Sequence, residues 1–441
     1  MEISRKRFAA LQPDSGVYMT ALMSENFKTS GIIIRFIMPL TEERAAAFGV
    51  LPFMLEDTCR RLPTITEFSR YQGALYGASV RGGISRYSDS AVISFSASCI
   101  GDRYALNGEK ITYETLRLLL DCITDPVTEE TVGGTAFPQK QFELKRQELI
   151  DLIDADINDK RSYAVKQAAQ IVYRSEGAGI SLKGERAAAA ALTSIEAYSA
   201  YMDMLKNARV EITFVGSSLP EECRSLISER FAALKRENIF LPEIKPSPLK
   251  EKTEEVTENL SVAQCKMVMG FKFSYGSGNV SDPKYRAVST LFNIIFGGSP
   301  FSMLFKNVRE KLSLCYYCSA SQNLNKKTVF VDSGVEEENI APAREEILRQ
   351  LEAVKKGEFT DEILAQSKLY AIDSTKGVNE NPSAVSEWYF IQCLDENPIT
   401  PEDFARNIDK VTREDIMEFA NSMKLDTVYT LRGNAQSHET N

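Results

Sequence analysis

The stretch Gly297-Gly298-Ser299-Pro300-Phe301-Ser302-Met303-Leu304-Phe305-Lys306-Asn307-Val308-Arg309-Glu310-Lys311-Leu312-Ser313-Leu314-Cys315-Tyr316 decides how the rest of the chain is read. Two glycines open it, which suits a close approach of backbone to a neighbour. Phe301, Leu304, Phe305 and Val308 then recur at helical spacing, so a helix is expected. Lys306, Arg309 and Lys311 gather towards its end, where cations offset the negative pole of the helix dipole. The run Leu-Cys-Tyr-Tyr-Cys over 314–318 reads as a strand.

Around this stretch the spacing predicts a strand over 267–273, a helix over 284–296 and a second strand over 328–334. Helices over 340–356, 360–375, 381–394 and 413–424 follow, the last with Thr412 as its N-cap, and a closing strand lies over 427–432. The first half repeats this plan, with strands over 30–38, 79–83, 91–99 and 210–216. Its helices are expected over 45–61, 66–76, 113–123, 139–156, 163–173 and 194–206. Between the halves, three prolines (Pro242, Pro246, Pro248) and a dense Lys/Glu run over 250–255 have the composition of an extended, solvated linker. The division read from this is 1–235, a linker over 236–260, and 261–441, two copies of one α+β unit.

At 441 residues the chain exceeds one compact core. A formal net charge of -9 argues against nucleic acid as a partner, which would need basic patches. No run of about 18 apolar residues is present, so no membrane span is expected. The charged start, residues 1–8, is followed by no apolar segment, so no signal peptide is expected. The eight cysteines are scattered and are expected as thiols in a reducing cytoplasm. Cys315 and Cys318 form a C-x-x-C, but on a strand they would point to opposite faces and could not share one metal.

The Gly297–Tyr316 stretch resembles the Gly-Gly … Leu-Phe … Val-Arg-Glu-Lys … Leu … Tyr signature of the pitrilysin and mitochondrial-processing-peptidase family, metallopeptidases with an inverted H-x-x-E-H zinc motif. The resemblance spans roughly residues 25–432. It implies two homologous halves, each a mixed sheet with helices packed on one face, joined by a linker into a clam-shell. It also implies that Arg309 and Tyr316, seven residues apart, reach towards bound substrate, with Gly297 and Gly298 shaping that element. Arginine is a rigid, always charged fork suited to a carbonyl or carboxylate, and tyrosine can donate to a developing oxyanion.

In the first half, aligned on Leu55-Glu56, the first histidine position falls on Phe53, or on Pro52 if slipped by one, the glutamate on Glu56 and the second histidine on Asp57. Neither Phe nor Pro has a ligand atom, and catalytic zinc needs three protein donors and a water. The third ligand implied by the family falls near Asp151 or Leu152, or on Glu148 with a shift. A carboxylate set of Glu56, Asp57 and Asp151 would suit a hard cation rather than zinc. The single histidine, His438, sits in a polar tail. Where the family carries an asparagine ahead of the substrate strand, this chain has Gly77, although Gly82-Gly83 and the strand over 91–99 could offer an edge to an extended peptide.

Tyr76-Gly77-Ala78 and the aspartate-rich run 154–164 are similar to a bacterial, cytoplasmic subgroup of non-catalytic members. The resemblance thus implies a pseudo-peptidase with no metal of its own. Its partner would be a zinc-bearing homologous subunit or a second copy of the chain, with a peptide as substrate. An atypical stand-alone peptidase and a peptide-binding scaffold are the alternatives.

Overall fold

The computed structural model describes residues 3–8 and 15–433, so His438 lies outside the described residues. Two compact units emerge, and neither is contiguous in sequence. The first comprises Met1–Asp154, Ile180–Glu243 and Asn379–Cys393; the second comprises Ala155–Gly179, Ile244–Val378 and Leu394–Asn441.

The first unit is built on β1 (Ser4–Phe8), β2 (Val17–Met23), β3 (Thr29–Pro39), β4 (Ser79–Tyr87), β5 (Ser90–Ile100) and β8 (Arg209–Gly216), in the order β1-β2-β8-β3-β5-β4. A small hairpin, β6 (Glu129–Thr131) and β7 (Gly134–Ala136), lies apart. The central strands are rich in β-branched and aromatic residues. Ile34, Phe36 and Met38 of β3, with Ile93 and Phe95 of β5, are completely or almost completely buried in one core. The helices Glu42–Met54, Ile111–Thr124, Ser194–Asn207 and Glu221–Ala232 supply buried residues to the same core.

The opposite face of this sheet is ionic. Glu211 accepts from Arg7 at 3.1 Å and from Arg209 at 2.8 Å. Arg35 donates to Thr213 Oγ1 at 3.3 Å and Ser386 Oγ at 3.2 Å, and its guanidinium lies 4.3 Å from the Phe390 ring centroid. The helix Pro382–Phe390 therefore covers this face, although it comes from late in the chain.

The second unit is built on β9 (Glu254–Leu260), β10 (Cys265–Phe273), β11 (Tyr317–Asn323), β12 (Thr328–Val335) and β13 (Met423–Gly433), in the order β11-β12-β10-β13-β9. This repeats the order β4-β5-β3-β8-β2, and β2 with β8 and β9 with β13 are the two parallel pairs. The duplication expected from the pattern is thus present as topology. Phe273, Phe292 and Phe419 close the main core, with ring centroids 4.6 Å apart for Phe273–Phe419 and for Phe292–Phe419. Across the sheet, Gly270 permits the helix Lys160–Val172 to lie flat on it, since a Cβ there would sit 2.7 Å from Val172 Cγ2.

The sequence division needs correction in two respects. Segments 155–179 and 379–393 each join the unit opposite to the one their position suggests, because each covers the second face of that unit's sheet. The expected linker also contains a strand: in β9 alternate residues are half-buried and exposed, so Glu255, Thr257 and Asn259 face outward while Val256 and Leu260 pack inward beside Glu258, which accepts from Tyr163 and Tyr429. The predicted helix over 45–61 ends at Met54, and the predicted strand over 314–318 begins only at Tyr317.

Candidate functional site

The helix Glu42–Met54 carries Pro52 in its last turn, and the chain then leaves through Leu55, Glu56 and Asp57. Pro52 lies directly against β4. A Cβ at Gly82 would sit 2.6 Å from the Pro52 carbonyl oxygen and 2.8 Å from its Cα, so only glycine fits there. Gly82 N–H donates to Glu56 Oε2 at 2.8 Å. That N–H faces away from β5, on the outer edge of the sheet. Burial pushes the Glu56 carboxyl above the usual carboxylate range, against the pull of the Gly82 N–H and Lys145. Phe53 is half-buried and packs on the core.

Asp57 meets a cation from the helix Gln139–Ala155: Lys145 Nζ donates to Asp57 Oδ2 at 2.8 Å. The same ammonium lies 3.6 Å from Glu148 Oε2 and feels the charge of Glu56. Burial disfavours the ammonium, but the hydrogen bond and charge of Asp57, then Glu148 and Glu56, outweigh it and hold the amine above its ordinary value. The degenerate motif is thus an internal ion cluster, with one lysine among three carboxylates. Nothing in the sequence pattern singled Lys145 out. The usable signal was its place one helical turn before Glu148, on the helix aligned with the third ligand.

The expected third-ligand positions do not converge on this cluster. Asp151 is exposed and accepts from Gln147 Nε2 at 2.7 Å, and Leu152 is exposed. Among the described residues no group of three or more His, Cys, Asp and Glu is placed to hold a metal ion. The residues present do not fit a zinc centre, because Pro52 and Phe53 carry no donor and Lys145 already neutralises the acids.

In the second unit the Gly297-Gly298 pair serves packing. A Cβ on Gly297 would lie 2.7 Å from Ala320 Cβ, and one on Gly298 would lie 2.9 Å from the Asn293 carbonyl oxygen. The close approach that the glycines suggested is therefore to β11 and to the end of the preceding helix. The expected helix is a π-helix over Phe305–Lys311, a wider winding that recurs at functional sites. It presents Arg309 outward with its guanidinium 4.6 Å from the Phe305 ring centroid, and Arg309 forms no ion pair among the described residues. Tyr316 is 61% exposed, and its hydroxyl donates to Glu336 Oε1 at 2.8 Å. Tyr317 turns the other way, beneath the Arg161 guanidinium at 4.2 Å. Arg309, Cys315, Tyr316, Glu336 and Asn339 line one open depression of about 400 Å³.

Two halves that share one order of five strands, one with a ligand-poor motif beside β4 and one with an exposed arginine and tyrosine ahead of β11, define the class: a peptidase-like scaffold without the family's metal ligands. Comparison with known proteins agrees. Residues 191–369 match the family model described as Peptidase M16 inactive domain. The probable inactive metalloprotease YmfF of Bacillus subtilis (strain 168) is 28% identical over 95% of this chain and 96% of its own. A conserved protein from Enterococcus faecalis V583 superposes with a TM-score of 0.88 at 26% identity, covering 99% of each chain. A peptidase M16 inactive domain from Pseudomonas fluorescens shares the fold, with a TM-score of 0.76 at 14% identity over 99% of each chain. Over nearly its whole length the chain is thus similar to a probable inactive metalloprotease, and it shares the fold of M16-like peptidases. No helix among the described residues is long and apolar enough to cross a membrane.

Proposed function

We propose that this chain is the zinc-less partner subunit of an active, zinc-bearing M16 peptidase in the cytoplasm, acting in peptide or protein processing. In this reading it holds no metal of its own, and its Arg309–Tyr316 depression takes part in holding a peptide. The observation that carries the reading is the contrast between the two units. Lys145 fills the degenerate motif with a positive charge, while Arg309 stands exposed with no ion pair among the described residues. An arginine left in this way can take up a peptide carbonyl or carboxylate.

The test is co-purification from the native cell, followed by zinc assay and peptide hydrolysis by the complex and by the chain alone. Zinc and activity confined to a homologous companion support the reading. Stoichiometric zinc with hydrolysis by the isolated chain overturns it in favour of a stand-alone peptidase. A companion that cleaves equally well with the Arg309→Ala, Tyr316→Phe double variant overturns the shared role of the depression and leaves a scaffold.

A further inference from the structure

β10 and β13 run antiparallel, with Gly270 opposite Thr427 but Phe271 opposite Leu425. Asp426 is passed over, so β13 bulges there, and a bulge re-aims the side chains around it. The Asp426 carboxylate is 1% exposed; it accepts from Lys250 N–H at 3.0 Å and lies 3.3 Å from Lys272 Nζ. Beyond the bulge the register has shifted by one residue, and Lys424 stands directly across from Lys272, where an unbroken ladder would set Leu425. Like charges directly opposite one another weaken a strand pair, yet the bulge creates this one. Lys327, in the turn between β11 and β12, holds φ at 50°, in the left-handed region that few non-glycine residues adopt.

Lys272, Lys327 and Lys424 line one cavity of about 320 Å³ at the end of the sheet, with Ser274 beside them and Leu249 and Phe273 as an apolar wall. No Asp or Glu is among its described lining residues. Lys272 donates to the carbonyls of Val172, at 3.2 Å, and Pro248; with Asp426 its donors are used, so it contributes charge alone. Lys327 Nζ donates once, to the Gly276 carbonyl at 2.6 Å, and keeps two protons. Lys424 is exposed and forms no ion pair among the described residues. Burial holds the Lys272 and Lys327 amines below their ordinary values, a cost that a bound anion offsets.

We propose that this cavity binds the phosphate group of a small phosphorylated organic molecule. Lysine recognises phosphate as a point charge, whereas a planar carboxylate is better matched by the arginine fork, and no arginine lines the cavity. Lys327 and Lys424 donate to the phosphate oxygens, Lys272 offsets further charge, and the organic part lies against Leu249 and Phe273. The volume falls at the lower end of the about 300–1,000 Å³ of small-molecule clefts, which leaves room for more than a bare ion. The cavity shares no lining residue with the Arg309–Tyr316 depression, so the inference does not rest on the peptide reading.

The experiment titrates the full chain with phenyl phosphate, inorganic phosphate and phenol by calorimetry at constant ionic strength. Phenyl phosphate should bind at a single site, more tightly than inorganic phosphate, and phenol should give no heat of binding. Lys424→Met and Lys327→Met should each weaken phenyl phosphate at least about tenfold, the loss of a charge-assisted hydrogen bond. Lys410→Met, which removes an exposed charge at the end of the helix Pro401–Lys410, should leave the affinity unchanged. On the wild-type chain, phenyl phosphate should slow acetylation of Lys327 and Lys424 but not of Lys410, read by peptide mass spectrometry, so the test stands even if a variant fails to fold. The proposal is overturned if neither phosphate binds, if phenol binds as well as phenyl phosphate, or if inorganic phosphate matches phenyl phosphate. It is equally overturned if Lys410→Met weakens binding as much as Lys424→Met.

Discussion

Replacing Lys145 by methionine tests the internal ion cluster most directly. Methionine keeps the length of the stem and removes the ammonium, leaving Asp57 with its Oδ1 already buried and without a hydrogen-bond partner. Removing one member of a fully buried pair costs about 3–5 kcal/mol, and an exposed pair contributes about 0–1 kcal/mol. The Lys145 and Asp57 side chains are 15% and 24% exposed. Their pair belongs nearer the buried limit but is discounted for solvent, and a loss of about 2–3 kcal/mol is expected. In a unit of this size that lowers the melting temperature by about 5–10 °C. The folded-state value of Lys145 is raised, so its contribution is complete below the unfolded value near pH 10 and fades only as pH climbs through the folded one. The deficit should therefore be flat from about pH 7 to about pH 9. Urea unfolding of Lys145→Met, Asp57→Asn and the double variant gives the coupling directly. The double variant should lose less than the sum by at least about 1 kcal/mol. A Lys145→Met loss under about 0.5 kcal/mol, or strict additivity, would refute the idea that this lysine neutralises the motif.

Gly82→Ala should destabilise by about 1–3 kcal/mol, because the new Cβ meets Pro52 backbone that has no rotamer to change; a neutral urea midpoint would contradict the packing described. Glu56→Gln keeps an acceptor for Gly82 N–H and removes a buried charge. The folded-state value of Glu56 lies above the ordinary one, so the wild type loses stability as pH rises from about 4 through that raised value. The variant should therefore match the wild type at acid pH and exceed it at neutral pH, as read by melting curves across pH. Lys326→Met should cost about 3 kcal/mol, since this ammonium is completely buried and paired to Glu176 at 2.5 Å; thermal unfolding checks it. Arg309→Ala should leave the melting temperature within about 3 °C, because the guanidinium stacks on the Phe305 ring at the surface, a cation–π pair worth about 0.5–1 kcal/mol. A large drop would make Arg309 a structural residue.

Most strands and helices were legible because their patterns are local. The apolar runs of β3 and β10 and the N-cap of the helix Arg413–Asn421, where Thr412 and Asp415 form a capping box, are written in neighbouring residues. The loss of zinc ligands was equally plain, since Phe53 and Pro52 lack donor atoms and one histidine cannot make two. The sequence also placed Arg309 and Tyr316 seven apart, and the π-helix and the turn at Ser313 carry both to one depression. What composition concealed was decided at a distance. The charged run before the second half looked solvated, but its last residues alternate and find an edge beside β13. Lys326, one of two adjacent lysines in the sequence, is sealed because Glu176, 150 positions earlier in the chain, meets it. The helices Lys160–Val172 and Pro382–Phe390 have ordinary amphipathic sequences, and no local signal says which sheet they cover. Local side-chain chemistry fixes what an element is and what it cannot bind, whereas the match of one surface to another fixes where a lysine, a thiol or a helix comes to rest, and only the folded chain brings those surfaces together.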